Sequence, residues 1–269
     1  MRRDSISRET PQKTKNRRNY AKLALIVFSP FGFFFAIPGM PGTVIYDFGI
    51  PMRIQPILVF PCALAAVFAA EQITTPINNE DVRVLSVIVQ PHEPTRMHQH
   101  TTNRVMIYRQ AGVQSFKFQD GRRETLHWRA GEVKWSPAAG MHIAEITSSE
   151  PVNIVEIELK KKGAGLAPDS PLDPLKVDSR DYKLEFENDQ VRVFRVKIAP
   201  HASTPMHEHT LKRIVTYLTD ANTRVTGADG KVENQQHKAG DVVWGEHAKH
   251  KEQNLSDKPL EVVVTELKY

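Results

Sequence analysis

The chain has 269 residues, room for two domains of modest size. Its formal charge of +5 is N-terminal in origin: residues 1–69 hold nine Lys/Arg and three Asp/Glu, and the rest holds 27 against 28. That remainder has no cationic excess to attract phosphate backbones, so nucleic acid is not an expected partner; the single cysteine, Cys62, excludes an internal disulfide and a Cys-based metal cluster.

The first seventy residues read as a targeting region. Arg2 to Arg18 is polar and basic, and Ala21 to Ala36 is apolar and dense in aromatics. Met52-Arg53 then opens a second start, followed by a mostly apolar run from Ile54 to Ala70 that ends at Glu71-Gln72. A positive start, an apolar run and the small-residue end Val67-Phe68-Ala69 match a secretory signal over residues 52–70. The run is short and Pro-interrupted for a membrane span. Three readings of residues 1–51 stay open: a mis-assigned start ahead of Met52, a membrane anchor through residues 21–36 with its basic flank on the cytoplasmic side, or one long leader. Each of them leaves the rest of the chain periplasmic or secreted. The sequence before Cys62, Val59-Phe60-Pro61, is a poor match to a lipidation site.

Beyond residue 78 the chain repeats itself. Asn79 to Trp135 aligns with Asn188 to Trp244 at a constant offset of 109, without a gap, and 21 of the 57 positions are identical. One folding unit has been duplicated. Both copies read as short β-strands: Val82, Val84, Val87 and Val89 alternate loosely with polar residues, and Asn153 to Leu159 and Leu260 to Leu267 alternate more clearly. Turn signals recur at Asp120-Gly121 and Asp229-Gly230, and at Ala130-Gly131 and Ala239-Gly240. No long helical period appears. Two β-barrels follow, over residues 78–160 and 182–269. Residues 161–181, rich in Lys, Pro, Gly and Asp, read as a linker, with Tyr182 to Phe186 as a lead-in strand.

All 11 histidines lie after residue 90. His98 and His100 recur as His207 and His209, in the settings Met-His-Gln-His and Met-His-Glu-His. On a strand the two imidazoles of each pair share one face, with Gln99 or Glu208 turned away. A third imidazole from another strand completes a metal site. The candidates are His142 in the first copy and His250 or His247 in the second.

This pattern resembles the cupin superfamily, as a bicupin. The first cupin motif is Gly, five residues, His-x-His, three or four residues, Glu, six residues, Gly; His98, His100 and Gly112 fit it. The second motif is Gly, five residues, Pro-x-Gly, two residues, His, three residues, Asn; Gly131, Pro137 and His142 stand at that spacing. In the second copy Gly240, His250 and Asn254 match with one residue deleted. The resemblance covers residues 79–160 and 183–268 and implies an all-β fold of two tandem double-stranded β-helix (jelly-roll) barrels. It implies the metal ligands His98, His100 and His142, and His207, His209 and His250.

The departures matter. The opening glycine is His92 in one copy and His201 in the other, a turn position where histidine is tolerated. The motif glutamate, counted back from Gly112, falls on Val105 and in the repeat on Ile214. Arg104 and Arg213 precede them in both copies. Three neutral imidazoles leave a divalent ion's charge uncompensated, so open positions favour an anionic ligand. An inward Arg104 or Arg213 favours a carboxylate further and makes each a candidate ligand-binding residue. Imidazole suits Zn, Cu, Fe and Ni, and ligand type alone does not select one; Mn stays on the list. Some cupin dioxygenases use a three-His iron site, which is similar in ligand count. Trp135, Trp244, Tyr108 and Tyr217 read as packed aromatics, and Glu145 and Glu252 as candidate bases if they face the cavity. Metal occupancy is expected to fall below about pH 6 as the ligand histidines protonate.

Two functions are expected from this set. One is an exported, metal-dependent enzyme, an oxygenase or isomerase, on a small anionic substrate. The other is a non-catalytic module that binds metal or a small molecule. A storage-type bicupin fits less well, because both copies keep their histidines. A homo-oligomer stays open.

Overall fold

The computed structural model describes residues 71–269. The leader over 52–70 and the anchor through 21–36 lie outside them. Nine strands build the first barrel: β1 (Glu71–Asn78), β2 (Val82–Val89), β3 (His98–His100), β4 (Arg104–Tyr108), β5 (Gly112–Phe118), β6 (Arg123–Trp128), β7 (Val133–Ser136), β8 (Ala139–Ile146) and β9 (Val152–Leu159). They form a five-stranded sheet in the order β1-β2-β9-β4-β7 and a four-stranded sheet in the order β3-β8-β5-β6. The second barrel repeats this with β10 (Tyr182–Glu187), β11 (Val191–Ile198), β12 (His207–His209), β13 (Arg213–Tyr217), β14 (Ala221–Gly227), β15 (Val232–His237), β16 (Val242–Gly245), β17 (Ala248–Asn254) and β18 (Leu260–Leu267). Its sheets run β10-β11-β18-β13-β16 and β12-β17-β14-β15. The duplication in sequence is a duplication of jelly-roll topology, strand for strand.

The strand period of two assigns side chains to two different cores. On β4, Val105 and Ile107 are fully buried in a cluster shared by both barrels, together with Val155 and Ile157 of β9 and Val191, Val193, Ile214 and Val263 of the second barrel. The five-stranded sheets thus pack against each other through their outer faces. The alternate residues Met106 and Tyr108 turn inward and join Val87, Val89 and Ile154 inside the first barrel. Inside the second barrel the same positions carry Val196, Ile198, Val262 and Tyr217. Each such aliphatic side chain contributes about 1.5–3 kcal/mol when fully buried, so the alternation itself holds the barrels together.

Reciprocal polar contacts fasten the pair. Arg109 of the first barrel donates to Ala239 O at 2.8 Å, and Arg195 of the second donates to Gly131 O at 2.5 Å. These carbonyls belong to the two Ala-Gly turns. The Asp81 carboxylate, 2% exposed, holds Lys161 and Lys212 at 2.5 and 2.8 Å.

The segment 161–181 is more than a connector. It carries a short helix, α1 (Pro174–Val177), capped by the Asp173 carboxylate, which accepts from Leu175 N at 3.0 Å. Leu175 packs against the interior of the second barrel. Leu172 O accepts from Glu208 N at 2.8 Å, and Asp173 pairs with Arg192 at 2.8 Å. Its polar composition hid this role, because backbone groups and one carboxylate make most of the attachments.

Candidate metal centres

Both trios assemble on neighbouring antiparallel strands. His98 on β3 stands directly opposite His142 on β8, and His207 on β12 directly opposite His250 on β17. His100 and His209 follow two residues on, on the same face. The ligand nitrogens of each trio lie within 4.8 Å of one another. Ring centroids are 5.0, 4.6 and 5.4 Å apart in the first barrel and 5.1, 4.5 and 5.6 Å in the second. The repeat differs by one residue between trio members, and the structure shows where it goes. The β3–β8 register shifts between His98 and His100, whereas β12–β17 pairs without a shift. A bulge absorbs the extra residue and keeps the His142 ring in place.

The tautomers are set by partners that can only accept. Nδ1 of His98 lies 2.8 Å from Arg96 O, Nδ1 of His142 lies 2.9 Å from Gly140 O, and Nδ1 of His207 lies 3.0 Å from Pro205 O. A carbonyl cannot donate, so each Nδ1 carries the proton and each Nε2 keeps its lone pair free. His209 Nδ1 donates to the Glu266 carboxylate at 2.8 Å, and Arg192 holds that carboxylate in turn. These are the outer contacts that fix a metal-binding imidazole. The donor set fits a divalent transition ion in each barrel.

Burial favours the neutral form of His100, His142, His207 and His209. Desolvation, then the Arg104 charge and the neighbouring histidines, push His100 down to about 3. Desolvation likewise lowers His142, His207 and His209. A lowered ring pKa favours the neutral, metal-binding form, so these shifts act to extend metal retention to lower pH.

The register of the missing glutamate needs a second correction. Val105 and Ile214 point into the core between the barrels and are 0% exposed. The inward residue at this place is Arg104, and Arg213 in the repeat. Counting three residues after the His-x-His pair, rather than back from Gly112, gives this register. Arg104 donates Nη1 to Glu156 and Nη2 to Ser136 Oγ, both at 2.9 Å, while its Nε is buried with no hydrogen-bond partner. Opposite Arg213, the serine is replaced by Gly245. A side chain there would collide with the guanidinium, whose Cζ lies 2.9 Å from where a Cβ would stand. Arg213 reaches past it to Glu246 O. A cation thus occupies the motif carboxylate's place in both barrels.

Other candidates separate cleanly. His92 and His201 take left-handed backbone, with φ of 59° and 60°; this is why a glycine suits the motif there, and neither belongs to a trio. His247 is held by Glu208 at 2.9 Å, away from the trio. Asn254 is a loop clamp: its Nδ2 donates to Lys258 O at 2.8 Å and its Oδ1 accepts from Ser256 N at 3.0 Å. Glu145 lies on the opposite face of β8 from His142. Glu252 shares the inner face of β17 with His250, and burial pushes its carboxyl upward. Tyr108 stacks on Trp128 at 4.3 Å, Tyr217 on His237 at 4.2 Å, and Trp135 packs edge-on to Phe186.

The two interiors differ. The first opens into a cavity of about 1490 Å³ lined by the trio, Arg104, Met106, Tyr108, Phe116 and Phe118, and by the ion pairs Arg104–Glu156 and Arg83–Glu158. In the second, Phe194 takes the place of Leu85 and lies parallel to the His209 ring, 6.1 Å away. His207 and His209 are 0% and 4% exposed. Glu156, Glu158, Ser136 and Tyr182 carry no motif and were not singled out from sequence. Glu158 and Glu266, one deletion apart in the repeat, had a signal there.

Solved structures share this architecture. AerE from Microcystis aeruginosa matches at a TM-score of 0.55 and 14% identity, over 79% of this chain and 96% of that one. Oxalate decarboxylases from Bacillus subtilis and Lactobacillus farciminis each match at 0.50, with 14% and 13% identity, over 74% of this chain and 72% and 80% of theirs. The chain has the bicupin fold. No protein-family model matches it, and no curated protein matches it in sequence. At these identities the likeness establishes the bicupin architecture and leaves the chemistry to the site.

Proposed function

We propose that the first barrel of this bicupin is the working site of an exported metal-dependent enzyme, an oxygenase or isomerase acting on a small anionic substrate. One observation carries the reading: a buried arginine with an unpartnered Nε and three histidines, two of which (His98 and His142) have Nδ1 committed to carbonyls and Nε2 free, line one large cavity. His98, His100 and His142 would hold the ion, which when bound supplies Lewis acidity and, for a redox metal, access to oxygen chemistry. Arg104 attracts and orients the anion. Glu156 and Ser136 hold the guanidinium in position. Met106, Phe116 and Phe118 give the cavity an apolar wall that shields the bound anion from water, strengthening its attraction to Arg104.

The neighbours are consistent with this class. One of the oxalate decarboxylase structures concerns Mn(II) centres, and another, from a different species, is a formate complex, so proteins of this fold include one with a divalent ion and one that binds a small carboxylate. Export rests on the leader over residues 52–70. Among the described residues no helix is long and apolar enough to cross a membrane.

A second reading, a non-catalytic binding module, has its own support. Two of the cavity carboxylates, Glu156 and Glu158, are paired with arginines, and neither of these two is free to act as a base. Metal analysis of the purified chain, with oxygen uptake across a panel of small carboxylates, decides between them. Turnover that disappears in His98→Ala supports the enzyme. Stoichiometric metal or carboxylate binding without turnover supports the module, and absence of metal in the first barrel removes the enzyme.

A further inference from the structure

The second barrel brings a fourth donor to its trio. Tyr182, the first residue of β10, is 3% exposed and points its hydroxyl at Nε2 of His207, 3.2 Å away. His207 Nδ1 is already committed to Pro205 O, so this Nε2 is the lone-pair nitrogen. Two ligands at 2.0 Å from a tetrahedral ion stand about 3.3 Å apart. The phenol oxygen therefore sits one ligand-to-ligand distance from a ligand nitrogen.

The first barrel lacks this donor by sequence alone. Tyr182 pairs with Val196 on β11, and the matching pair in the first barrel is Ile73 with Val87. The backbone register is the same and the side chain is not. Ile73 has no ligand atom and is 54% exposed.

We propose that Tyr182 is the fourth protein ligand of the second barrel, which makes His207, His209, His250 and Tyr182 a closed metal site, while the first barrel keeps open positions for a ligand. Sites that close with four protein ligands are structural, and sites that react keep a position free. On binding, the Tyr182 O–H bond breaks, the oxygen–metal bond forms, and one proton leaves to the buffer for each ion bound. The resulting phenolate supplies the negative charge that three imidazoles lack. This rests on the reading that the trios hold metal.

The test uses the full chain carrying His98→Ala and His100→Ala, so that only the second trio remains, loaded with Cu(II). Tyr182 ligation predicts a visible phenolate-to-copper charge-transfer band with phenolate modes in its resonance Raman spectrum. Tyr182→Phe, which removes one oxygen and keeps the ring, should abolish the band. It should also release one proton fewer per ion and weaken affinity on the order of 10- to 100-fold, at least the loss seen when a partner one shell further out is removed. Copper bound without the band, with affinity unchanged in Tyr182→Phe, overturns the proposal and leaves the trio reading standing. Tighter binding in Tyr182→Phe also overturns it, since the phenol then only blocks the trio. If neither this variant nor the parent chain binds metal, the underlying reading fails as well.

Discussion

Arg104 and Val105 are neighbours on β4 whose side chains enter different cores: Arg104 reaches Glu156 inside the first barrel at 2.9 Å, and Val105 is sealed between the barrels. The same division separates Arg213 from Ile214. A carboxylate restored at Arg104 therefore faces the histidines, and one placed at Val105 or Ile214 does not. Arg104→Glu combined with Glu156→Gln should tighten metal binding by the first barrel in a calorimetric titration. Ile214→Glu should leave affinity unimproved and destabilise the chain by roughly 3–5 kcal/mol, the cost of an unpaired buried charge. Tighter metal binding in Ile214→Glu would reverse this assignment of faces.

The metal-free chain should lose stability on acidification. Burial, with His207, His209 and Arg213 adding to it, pushes His250 down to about 2, against about 6.5 in the unfolded chain. Between these values the unfolded chain binds more protons than the native one, so stability rises with pH across this window and is lost as pH falls below about 6.5. Each histidine that stays neutral in the native state costs about 2 kcal/mol at pH 5. Glu156, Glu252 and Glu266, raised by burial, act in the opposite sense. The clean measurement is a difference: Tm of His250→Gln should fall less than that of the parent between pH 7 and pH 5. Parallel curves would show that His250 titrates normally.

Asn254 should matter for stability rather than for metal. Its side chain is 0% exposed and ties Lys258, Ser256 and Ile198 together. Asn254→Ala should cost about 2–4 kcal/mol, the loss of several buried hydrogen bonds, with copper affinity of the second trio kept within about twofold, well short of the roughly tenfold loss expected for a ligand's partner. Denaturant titration and metal titration on the same variant separate the two. The first barrel has Ile146 here, also 0% exposed, and does without the clamp.

The export proposal predicts a native mature N-terminus near Ala70. Terminal sequencing of the protein recovered from its source cells checks this. A full-length chain found in the cytoplasm, with residues 1–69 retained, would remove both the leader and the extracytoplasmic setting.

The sequence by itself determined the duplication, the β character and the two trios. Those signals are local or periodic: a 109-residue offset, alternating strands, a His-x-His pair on one face, and a third histidine at motif spacing. It also placed His92 and His201 in turns, where both have positive φ. It could not decide which way the residue after Arg104 points. Side chains alternate with a period of two, so a count that slips by one residue moves every side chain to the other face. The tertiary structure decided that an arginine, and neither Val105 nor Ile214, stands where the carboxylate is missing. It also decided that segment 161–181 packs against the second barrel, and that Tyr182 meets His207. Those contacts join residues well separated in the chain, 19 apart for Asp173 and Arg192 and 25 for Tyr182 and His207, through β10–β11 pairing and the closure of a barrel, and no periodicity in the chain records them.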